Sequence, residues 1–81
     1  SEEVILYPNP TQGMIQVYVA GIDQSIKTEL RDLSGNTRIQ QEVSVPRNRV
    51  IELDLTQLPT GVYVLMLSGE TVRTTEKIIK E

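Results

Sequence analysis

The chain has 81 residues, room for one domain with a thin core, since a domain this small buries only about 60% of the surface its unfolded chain exposes. It has no Cys and no His, which excludes disulfides, thiolate metal sites and the commonest general base. With 8 basic and 11 acidic residues the formal net charge is -3, and Lys and Arg are scattered, which argues against binding nucleic acid.

Ser1-Glu2-Glu3 reads as the end of an upstream linker. Beginning at Ser1 without an initiator Met, the chain reads as a piece of a longer polypeptide. Strands are predicted over 4–7, 14–20, 25–33, 37–45, 49–55, 61–68 and 71–80. The period is two almost throughout: Ile15, Val17 and Val19 alternate with polar or amphipathic neighbours, as do Ile51, Leu53 and Leu55.

The turns have local causes. Pro8 and Pro10 lack N–H groups, so no central ladder runs through Tyr7-Pro8-Asn9-Pro10; Asn9 can hold the bend and Gly13 end it. This segment is expected to close one end of the fold. Ser34-Gly35-Asn36 and Ser68-Gly69-Glu70 are hairpin signals, and Pro59-Thr60-Gly61 fits a type I turn that Gly61 serves. Pro46-Arg47-Asn48 is a looser connection, and Arg47 and Arg49 read as a solvated turn. Seven short strands imply two packed antiparallel sheets: an all-β, seven-stranded, immunoglobulin-like β-sandwich formed by residues 1–81 as a single domain.

One strand breaks the alternation. Val62-Tyr63-Val64-Leu65-Met66-Leu67 is apolar on both faces and is the longest apolar run, far short of the roughly 20 residues of a membrane helix. Tyr63, Leu65 and Leu67 are assigned inward. Val62, Val64 and Met66 then face outward, either covered by a loop or forming a partner-binding stripe joined by Met14 or Tyr18.

Nothing points to catalysis, a cofactor or a metal. Asp23, Asp32 and Asp54 read as turn caps or solvated groups; no D-x-D-x-D spacing supports calcium. Ser34 before Gly35 lacks both a base and a G-x-S-x-G context.

Three segments and the terminus together resemble the type A C-terminal sorting domain of the type IX secretion system of Bacteroidota. They are Tyr7-Pro8-Asn9-Pro10-Thr11-Gln12-Gly13, then Leu30-Arg31-Asp32-Leu33-Ser34-Gly35, then Leu53 to Leu65 with its Leu58-Pro59-Thr60-Gly61-Val62-Tyr63 signature, and finally Thr75-Glu76-Lys77-Ile78-Ile79-Lys80. The resemblance implies a seven-stranded sandwich without enzymatic activity. It implies passage through the periplasm, recognition by the translocon and its shuttle proteins, and delivery to the cell surface or medium. A cell-surface cysteine protease of sortase type then commonly removes the domain. It also implies recognition through the last strand and its final residues, here Lys77, Ile78 and Ile79. On physical grounds the terminal strand, 71–80, reads as an edge open to strand addition. The alternatives are an adhesion or protein-binding sandwich, and an uncleaved domain of a secretion-system component.

Overall fold

The computed structural model describes residues 4–81; Ser1-Glu2-Glu3, read as a linker end, lies outside them. Seven strands follow one another: β1 (Val4–Tyr7), β2 (Met14–Val19), β3 (Ser25–Asp32), β4 (Thr37–Ser44), β5 (Val50–Asp54), β6 (Gly61–Ser68) and β7 (Arg73–Lys80). They form a three-stranded sheet in the order β1-β2-β5 and a four-stranded sheet in the order β4-β3-β6-β7. Every strand pairing is antiparallel.

The period of two sets the core. Ile15, Val17 and Val19 from β2, with Ile51 and Leu53 from β5, face Ile26, Leu30, Tyr63, Leu65, Leu67 and Ile78 of the other sheet. Each side chain points inward because its neighbours along the strand point out. The inward assignment of Tyr63, Leu65 and Leu67 matches their burial.

Strand ends differ from the sequence reading by one or two residues, for identifiable reasons. β3 stops at Asp32 because its carboxylate accepts the amides of Ser34 (3.0 Å) and Asn36 (2.9 Å), which bends the chain. Gly35 supplies the left-handed φ of 89° that this hairpin requires. β7 starts at Arg73, not 71, because the Thr71 amide is held by Asp23.

Two turn assignments are corrected. Arg49 is not part of a solvated turn. It adopts φ 66°, and its guanidinium donates to the carbonyls of Val19 (3.0 Å) and Asp23 (2.7 Å), tying the 46–49 turn to the end of β2. The hydrogen-bonded turn before β6 is Leu55 to Leu58 (3.0 Å), earlier than the expected Pro59-Thr60-Gly61 turn. Gly61 has no positive φ, and a β-carbon there would meet open space, so neither backbone nor packing demands glycine.

Candidate functional site

The segments singled out in sequence converge on one end of the sandwich. The register places Asp32 opposite Tyr63 and Tyr63 opposite Ile78, so the Asp32–Gly35 hairpin, the start of β6 and the end of β7 share that end. The 7–13 segment joins them from the other sheet. Asn9 donates its side-chain amide to the Lys77 carbonyl (2.7 Å) and accepts from the Ile79 amide (3.0 Å). Thr11 then pairs as a short parallel strand would: its N–H donates to the Ile79 carbonyl (2.9 Å), and its carbonyl accepts from the Glu81 amide (2.8 Å).

Thr11 is buried, and its hydroxyl also donates to the Met14 carbonyl (2.7 Å) while accepting the Gly13 amide (3.0 Å). Gly13 permits the approach: a β-carbon there would press on Thr56 backbone and side chain, and the Gly13 carbonyl accepts from Leu55 (2.8 Å). The 7–13 segment therefore closes the sandwich end and seals the last residues of β7. Tyr7, Pro8 and Pro10 are exposed, and with Met14 and Thr56 they line an open groove of about 740 Å³ beside Glu81.

Two polar anchors hold the 55–60 loop below β6. The Tyr63 hydroxyl donates to the Pro59 carbonyl (2.5 Å), fixing the ring that fills the core. Lys80 reaches back to donate to the Leu58 carbonyl (2.6 Å). Lys80 was missed in the sequence; a lysine near a terminus leaves no pattern that distinguishes an anchor from a solvated charge.

The expected recognition residues divide among three environments. Ile78 is wholly buried in the core, so its side chain is not available at the surface. Lys77 is exposed and Ile79 half-buried, both on the outer face of the four-stranded sheet. Val62, Val64 and Met66 lie half-buried on that same face. Met14 and Tyr18 do not join them. They belong to the three-stranded sheet and sit with Ile5 and Tyr7 on the opposite outer face, all four exposed.

The aspartates are structural, each held ionised below the ordinary carboxylate range. The Thr71 hydroxyl and amide do this for Asp23, tethering the turn after β2 to the turn before β7. The Asn36 amide does it foremost for Asp32, helped by Arg38, whose guanidinium lies 3.1 Å away. Thr56 does it for Asp54. Glu29 is lowered by Arg31, at 2.8 Å, and by Thr37. Among the described residues no group of three Asp or Glu side chains is arranged to hold a metal ion, and no helix is long and apolar enough to cross a membrane.

No curated protein matches the chain. Its fold is similar to that of a DUF3244-family protein from Bacteroides vulgatus with an immunoglobulin-like β-sandwich. The TM-score is 0.78 at 15% identity, covering 98% of this chain and 84% of that one. That likeness bears on the fold alone, and it agrees with the two antiparallel sheets described above. The sequence model of the secretion system C-terminal sorting domain matches residues 5–81, a span that takes in the 7–13 closure, the Asp32 hairpin, the 55–60 loop with the start of β6, and the pinned end of β7. The chain thus belongs to the type IX family of secretion system C-terminal sorting domains.

Proposed function

We propose that the domain acts as a non-catalytic address at the C-terminus of a larger exported protein. Its parent crosses the inner membrane by the general pathway, passes through the periplasm folded, and is carried through the outer membrane by the type IX translocon and its shuttle proteins. A cell-surface cysteine protease of sortase type then removes the domain upstream of the sandwich. Recognition falls on the outer face that holds Lys77, Ile79, Val62, Val64 and Met66, while Ile78 contributes by keeping β7 seated in the core.

One observation carries this reading: four separated motif segments meet at one end, where the last strand is pinned in a single register. A receptor reading a terminus needs that terminus presented in one conformation, because ordering it at binding would cost conformational entropy.

The test is export. Residues 1–81 are fused behind a periplasm-targeted fluorescent protein in a Bacteroidota host and compared with a fusion lacking 77–81. Reporter at the surface or in the medium, lost on truncation, is the expected result. Reporter trapped in the periplasm with a folded domain overturns the reading.

A second reading rests on the exposed side chains Ile5, Tyr7, Met14 and Tyr18 on the other face, since contiguous apolar surface commonly marks a protein contact. It makes the domain an adhesion module, or a retained domain of a secretion-system component. Persistence of the domain on the mature surface protein would favour it.

A further inference from the structure

The open edge of β7 is shorter than the strand. Ile79 turns its N–H to Asn9 and its carbonyl to Thr11, so both groups point away from β6. Along an antiparallel edge strand, every second residue presents its backbone groups to the same side. Thr75 and Arg73 therefore present theirs as Ile79 does, and Lys77 adds an N–H, its carbonyl being taken by Asn9. Gly69 and Val72 close the turn at the other end of the strand. Residues 73–77 thus form a window of backbone that pairs with no further strand among the described residues.

The side chains framing this window are basic. Arg73, Thr75 and Lys77 are exposed on the outer face of the four-stranded sheet, with the two cations about 13 Å apart at the usual strand rise. Neither enters an ion pair among the described residues. Behind them stand Ser68, Met66 and Val64 of β6, and beyond those Lys27, Glu29 and Arg31 of β3. Four of the chain's 8 basic residues point from this face. The strands of the other sheet contain Glu52 and Asp54 and no Lys or Arg.

The other three edges suit an acidic segment less, β5 because its exposed Glu52 and Asp54 would repel one. β1 has four residues and runs into Pro8. β4 meets a register shift at Leu30 and Arg31, and its Arg38 and Glu42 are engaged by Asp32 and Ser25.

We infer that residues 73–77 are a docking strip for an extended acidic peptide segment of a protein partner. The segment adds as a strand beside β7 and sets carboxylates, four residues apart, against Arg73 and Lys77. Main-chain pairing supplies the grip, and the two cross-strand charge pairs supply selectivity. The same two cations keep neutral or basic strands off the edge, which protects the free domain from self-pairing. This inference rests on the sorting reading for the identity of the partner, a component of the export machinery, but its geometry can be tested without export.

The binding arm uses the isotope-labelled 81-residue chain and two synthetic peptides. One is Thr-Glu-Val-Thr-Val-Glu-Thr; the other has Lys in place of both Glu. The glutamate peptide is expected to shift the amide signals of Thr75 and Lys77 and slow their exchange, while the lysine peptide leaves them unchanged. No effect at millimolar peptide, equal effects from both, or protection centred on β4 would overturn the inference.

The cellular arm uses the fluorescent fusion with R73E/K77E or with T75P. The proline removes one outward N–H without deleting a bond to β6, a position where an edge strand tolerates it. Circular dichroism confirms that each variant folds; if T75P does not, the peptide arm and R73E/K77E decide. Each folded variant is expected to cut export about tenfold against an exported parent fusion. Full export of both overturns the inference. Loss with R73E/K77E alone overturns strand addition in favour of a contact that reads charge only, such as an anionic lipid surface. A parent fusion that is not exported counts against the sorting reading, and the peptide arm still decides the edge.

Discussion

Asn9 holds Ile79 across a separation of 70 residues, accepting its amide at 3.0 Å while donating to the neighbouring Lys77 carbonyl at 2.7 Å. One side chain thus substitutes for a missing strand. Asn9→Ala should remove both bonds and cost about 1–2 kcal/mol, at the ordinary worth of such hydrogen bonds. Native-state hydrogen exchange is the decisive measurement. The Ile79 amide should exchange faster in the variant while Leu65 and Leu67, deep in β6, slow or speed only with global stability. An unchanged Ile79 rate would mean that Thr11 alone seals the edge.

Ile78 and Ile79 separate folding from recognition. Ile78 is fully buried, so Ile78→Ala should destabilise by about 2–5 kcal/mol through lost burial and a cavity. Ile79 is half-buried on the outer face, and Ile79→Ala should cost less than about 1.5 kcal/mol. Urea midpoints check the first statement. Under the proposed function, Ile79→Ala should impair export in a domain that still folds; unimpaired export would remove Ile79 from the recognised surface.

The glycines make a paired test. A β-carbon at Gly69 would run into the Asp23 carboxylate, which is itself fixed by Thr71. Gly69→Ala should therefore destabilise by about 1–3 kcal/mol, the range of overpacked sites. A β-carbon at Gly61 meets nothing, and Gly61→Ala should stay within about 0.5 kcal/mol. Equal melting temperatures for the two variants would contradict the packing described at Gly69. A folded but export-deficient Gly61→Ala would assign that glycine to a partner.

Acid should weaken the domain. Hydrogen bonds from Thr71, Asn36 and Thr56 keep Asp23, Asp32 and Asp54 ionised below the ordinary 3.8, and Arg31 keeps Glu29 ionised below 4.5. As pH falls past those ordinary values, the unfolded chain takes up protons that the folded chain still refuses. Their contribution is full above the ordinary values and fades as pH drops through the lower folded ones. Solvent screening keeps each contribution small. Urea midpoints measured between pH 6 and pH 2 should fall on the acid side, and Asp23→Asn should flatten part of that fall. A midpoint that rises with acid would refute the sign.

Much of the fold was legible because strand alternation is a local property. β1 and β6 match their expected bounds, and the others agree within two residues. Asp32 as a turn cap was also readable, because Asp, Gly and Asn lie within a few residues of one another. The pairing of Asp23 with Thr71 was not, and neither were the Asn9 grip and the Lys80 anchor. Each joins a side chain to a group 22 to 70 residues away, and such a bond has no period and no spacing rule. The expectation that Met14 or Tyr18 joins the stripe of Val62, Val64 and Met66 fails for a related reason. Alternation says that a side chain faces outward, but only the order of strands in the two sheets says from which side of the sandwich.

The closure between Thr11 and Glu81 also governs timing. β7 supplies Ile78 to the core and the two backbone groups that hold the Asn9 side chain, so the domain cannot settle until β7 is in place. Until then the earlier strands wait with their apolar faces uncovered, and the chain is open to chaperones or to a translocation pore. Arrival of β7, not the emergence of any single earlier strand, starts the folding clock.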